Sequence, residues 1–143
     1  MINDYWGYET GTKILNFVLR RMELFSASLF VNRYHSDVFV AVLDITGCKS
    51  SDVKKQIEEY NRQIIQEILK TFQINYFHLN TGIYYLKDTS IPAEQIISHT
   101  NIVREKAKTE LSGVCEYTNY IAIHEQHCAD TIHSLKSALK QKE

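Results

Sequence analysis

Proline and glycine are scarce in this 143-residue chain, which has one proline, Pro92, and five glycines. A flexible linker needs runs of Gly, Ser or Pro, so none divides the chain. Cys48, Cys115 and Cys128 are odd in number and lack paired spacing. That pattern excludes a disulfide framework and reads as free thiols in a reducing compartment. No apolar run approaches the roughly 20 residues that a membrane-spanning helix needs. The opening Met1-Ile2-Asn3-Asp4-Tyr5 is too polar and mixed for a secretory signal. A surplus of one charge is missing as well. A net charge of −1 speaks against a broad surface for nucleic acid or anionic lipid. Internal repeats and low-complexity tracts are not found.

What is present is an ordinary globular composition, 44% hydrophobic and 23% charged, in a length that suits one domain with a single core. After a glycine-punctuated stretch from Asn3 to Thr12, the residues Ile14, Leu15, Val18, Leu19 and Met22 recur at helical spacing. Ser26 to Asn32 is β-prone around Leu29-Phe30-Val31. A turn at His35-Ser36 hands over to Val38–Leu43, apolar throughout, which predicts a buried central strand. A loop over Thr46–Ser51 ends in a cap, with Ser51 placed to hold the next helix. That helix carries the longest stripe in the chain: Val53, Ile57, Tyr60, Ile64, Ile68 and Phe72.

Further along, Ile74–Leu86 is β-like with Gly82 in its middle, and Pro92 opens a helix whose apolar face is Ile96, Ile97, Val103 and Ala107. Val114–Ile123 predicts a last strand or hairpin edge. Cys128–Lys142 predicts a last amphipathic helix with Ile132, Leu135 and Leu139 inward. The order α-β-β-α-β-α-β-α points to helices packed on a mixed, antiparallel-containing sheet.

Four segments, in order, carry a family resemblance. Ile2-Asn3-Asp4-Tyr5-Trp6-Gly7-Tyr8-Glu9-Thr10-Gly11-Thr12 resembles I-N-D-x-x-G-H-x-x-G-D. Arg33 to Phe39 resembles R-x-G-G-D-E-F. Asn80-Thr81-Gly82-Ile83 resembles S-x-G-I, and Thr100 to Lys108 resembles A-D-x-A-M-Y-x-A-K. Together they are similar to the GGDEF domain of diguanylate cyclases, over roughly residues 2 to 120. The resemblance implies an α/β fold, palm-like as in nucleotidyl cyclases. It implies residues 1–123 as a GGDEF domain lacking its first strand, and residues 124–143 as a helix leading toward an EAL phosphodiesterase domain.

The same resemblance implies a degenerate signature, since Gly-Gly-Asp/Glu-Glu-Phe is replaced by His35, Ser36, Asp37, Val38 and Phe39. The two glycines let the backbone approach phosphates with no Cβ in the way, and here His35 and Ser36 place side chains there. Of the acidic pair, Asp37 keeps a carboxylate, whereas Val38 has no oxygen. The base-reading pair becomes Asn3 and Thr12, and a threonine cannot offer a carboxylate to guanine. Lys108 matches a phosphate-touching lysine. The inhibitory R-x-x-D falls on Ser26-Ala27-Ser28-Leu29 with both charges gone.

No catalytic residue follows from this. Nucleotide binding rests on Asn3, Thr12, Asp37 and Lys108, and metal on Asp37 at most. No cofactor is implied, with Mg²⁺ and GTP entering only through residual binding. Each of these residues also has a plainer reading: His35 and Asp37 as turn residues, Asn3 as a terminal cap, Lys108 as a solvated helix charge. His124 and His127, with Cys128 and His133 near, have zinc-compatible spacing but no second ligand cluster. Tyr84 and Tyr85 read as sheet-face packing. The implied function is an inactive regulatory domain of cyclic di-GMP signalling, with a GTP sensor or a weak cyclase as alternatives. The implied partners are an EAL or other signalling domain of the same parent protein, a second copy, or GTP, without nucleic acid or membrane insertion. The implied place is the cytoplasm, whether free or as the inner part of a membrane-bound sensor.

Overall fold

The computed structural model describes residues 7–118, 131 and 134–140. Contacts divide the chain into two compact units, Met1–Leu79 and Asn80–Glu143.

In the first unit, helix α1 spans Tyr8–Leu24, strands β1 and β2 span Ser28–His35 and Val38–Leu43, and helix α2 spans Ser50–Thr71. Helix α1 starts earlier than the glycine punctuation predicts. Gly7, at φ 83°, serves as its cap, and Gly11 is buried inside it. Ile14, Leu15 and Val18 are its buried stripe. Helix α2 buries Val53, Ile64 and Ile68. The core is Ile14, Val18, Ile64, Ile68 and Phe77, with Phe39 and Phe72 packed against it. Phe17 and Phe72 meet edge to face at 6.1 Å. The Tyr60 hydroxyl donates to the Arg21 carbonyl, and the Arg21 guanidinium lies 5.3 Å from the Tyr60 ring centroid. An ion pair from Arg21 to Glu67 at 3.1 Å adds a second tie between the helices.

Two expectations change in this unit. Ser51 is not the cap of α2, because Lys49 holds that position with no side-chain cap bond. Nor is β2 a buried central strand. Among the described residues it pairs with β1 alone, antiparallel. Its residues are half-buried or exposed, and Val42 is 49% exposed. An apolar run signals burial on both faces only when a layer covers each face. In this unit Phe39 turns toward the core, while Phe30 and Val42, paired across the ribbon, face outward.

In the second unit, β3 (Thr81–Ile83) and β4 (Val114–Glu116) pair in parallel, joined by helix α3 (Ala93–Ala107). Parallel neighbours need a crossover of this kind. The long β-like run Ile74–Leu86 supplies only three strand residues. Pro92 is the residue before α3, as its fixed φ and missing N–H favour. Val103 and Ala107 of α3 and Val114 of β4 are buried. A Cβ on Gly82 would fall on the Thr100 carbonyl oxygen and within 2.7 Å of the Arg104 amide nitrogen. Gly82 therefore sets how closely α3 sits on β3.

Residues 131 and 134–140 are helical and exposed, with Leu135 at 59% and Leu139 at 67%. Those two leucines do not face inward as their spacing predicts, because no described element covers them. The expected strand residues 119–123 and the boundary at 123/124 lie outside the described residues. Among the described residues, one antiparallel and one parallel two-stranded ribbon, together with the helices, make up the α/β architecture.

Candidate functional site

The hairpin tip is built by a two-residue turn. His35 pairs with Val38, so Ser36 and Asp37 form the turn, one residue beyond the predicted His35-Ser36. The register slips between Arg33 and His35, which makes a bulge at Tyr34. Ser36 has φ 46°, the left-handed region that glycine enters freely and other residues enter at a cost. The Arg33 Nε donates to the Ser36 carbonyl at 2.5 Å, clipping the turn from three residues back. The Tyr34 and His35 rings lie 4.9 Å apart. Sequence reasoning passed over the Arg33 clip, because it depends on a rotamer and a positive φ that the sequence does not specify.

Exposure divides the signature. His35, Ser36 and Asp37 are exposed, while Val38 and Phe39 are half-buried. Phe39 packs on the core of its unit, so the end of the signature serves the fold.

The remaining candidates lie on other elements. Thr12 lies in the second turn of α1 and gives its hydroxyl proton to the Tyr8 carbonyl at 2.9 Å. Its donor is spent, and lone pairs alone remain. Lys108 belongs to the other unit. It ends α3, and its Nζ lies 2.8 Å from Glu105 Oε2. The Lys108 ammonium, with Arg104 also close, holds the Glu105 carboxyl below the usual carboxylate range. Asn3, with His124, His127, Cys128 and His133, lies outside the described residues. Ser26-Ala27-Ser28-Leu29 bridges α1 and β1, where Ser28 Oγ donates to the Met22 carbonyl at 2.7 Å.

Mg²⁺ takes a near-octahedral shell of hard oxygens. From His35 to Phe39, Asp37 is the sole carboxylate. Among the described residues no cluster of three or more His, Cys, Asp or Glu is arranged to hold a metal ion. For the Mg²⁺ that enters only through residual binding, the described tip offers one carboxylate, Asp37, which does not fit such a shell. No helix among the described residues is long and apolar enough to cross a membrane.

Two features escaped the sequence reading. Tyr84, His99 and Tyr117 form an aromatic stack. The His99 and Tyr117 rings are 4.6 Å apart and 8° from parallel, and Tyr84 lies 5.3 Å from Tyr117. Residues so far apart in sequence give no local signal. Tyr84 lies one residue past the end of β3 and packs on the His99 and Tyr117 rings rather than on a sheet face. Beside it, burial and the Glu116 carboxylate accepting from its hydroxyl raise the Tyr85 phenol well above its ordinary value. The second feature is a turn at the end of β2. Asp44 Oδ1 accepts from the Thr46 amide at 3.0 Å and from the Thr46 hydroxyl at 2.6 Å. Those bonds hold the Asp44 carboxyl below the usual range.

Compared with known proteins, residues 1–113 match a family model described as the diguanylate cyclase GGDEF domain. No curated protein and no solved structure matches the chain.

Proposed function

The chain belongs to the GGDEF-domain family of diguanylate cyclases, which places it among the proteins of cyclic di-GMP signalling, and on that premise we propose that it is a member that keeps the frame and has lost the reaction. It serves as a regulatory or interaction domain, acting on an EAL phosphodiesterase domain or another signalling domain of the same parent protein. One observation carries the reading: the exposed hairpin tip holds Ser36 at a positive φ and Asp37 as its sole carboxylate.

Phosphoryl transfer depends on positioned cations and charge neutralisation more than on covalent help from the protein. A single exposed carboxylate beside Val38 supplies neither a two-metal clamp nor a group to activate a 3′-hydroxyl. At the tip, His35 and Ser36 put side chains where a bare backbone would have to meet phosphates. Thr12 gives its proton to its own helix. Lys108 is paired with Glu105 in a half-exposed ion pair.

The test is incubation with GTP and Mg²⁺ or Mn²⁺, followed by chromatography. No cyclic di-GMP is expected, and steady accumulation of product overturns the reading. Titration calorimetry with GTP then separates a purely interacting domain, which gives no heat at millimolar nucleotide, from one that senses GTP without converting it.

A further inference from the structure

We draw no further inference here: the strongest candidate, the open groove between Phe25 and the face of α2 that carries Lys55, Gln56, Glu59, Tyr60 and Gln63, adjoins the Ser26–Leu29 segment on which the family's inhibitory product site falls, so a ligand placed there restates a property of the family.

Discussion

Gly82 and Ser36 stand at two points where the backbone makes a special demand, and the demands differ. At Gly82 the demand is space. A Cβ there would strike backbone atoms of Thr100 and Arg104, which have no flexible end to move aside. At Ser36 the demand is conformation. The residue sits at φ 46° in a solvent-exposed turn. A fold cannot absorb the first kind of substitution without shifting a helix. It absorbs the second at a cost of roughly 1–2 kcal/mol, the ordinary left-handed penalty for an L residue. The glycine that positions α3 is in place, whereas the tip has Ser36 where the family signature has glycine. That contrast underlies the reading of a frame without its reaction.

The contrast can be sharpened by mutation, starting with the core that holds the hairpin. Ile68 is fully buried, and Ile68→Ala is expected to lose about 3–4 kcal/mol in urea denaturation. Gly82→Ala is expected to lose about 3 kcal/mol by overpacking. A loss under about 1 kcal/mol would mean that α3 can slide on β3 and would remove half of the comparison.

Tyr85→Phe is expected to lose about 1 kcal/mol at pH 7, where the bond to Glu116 is intact. The pH dependence has a definite sign. The phenol value is raised on folding, so its contribution is complete below the unfolded value of about 10 and declines as pH rises toward the folded one. Stability of the native chain is expected to fall above that point by more than that of the Tyr85→Phe variant. For Asp44 the sign is opposite. Its folded value is lowered, so its contribution is present above the unfolded carboxylate value and is lost on acidification. The smallest effect is expected from Ser36→Gly, a gain of about 0.5–1 kcal/mol as strain relief outweighs the added chain freedom. Destabilisation by that change would show that the Ser36 side chain has a role of its own.

Much of the fold was legible because helical periodicity is a local signal. The stripe from Val53 to Phe72 and the pair Ile14 and Val18 identify α2 and α1 and their inner faces. Pro92 marks the start of α3. The strands were harder to read. Val38–Leu43 reads as buried because an apolar run carries no count of the layers around it, and here β1 is its one described neighbour. The run Ile74–Leu86 reads as one strand, yet Ile74 and Phe77 serve the core and only Thr81–Ile83 pairs. The candidate site was legible as a tip, since His35-Ser36-Asp37 between two β-prone runs is a turn signal. The spending of Thr12 on Tyr8 and of Lys108 on Glu105 was not, because helix-local bonds depend on rotamers that sequence does not specify.

The most direct test of the central claim compares cyclic di-GMP production by the native chain with that of a variant whose tip is restored by His35→Gly, Ser36→Gly and Val38→Glu. The native chain is expected to yield no product with GTP and Mg²⁺ or Mn²⁺, whatever the variant does. Steady accumulation of product from the native chain would contradict the account, because the residues now at the tip would then be sufficient for the reaction.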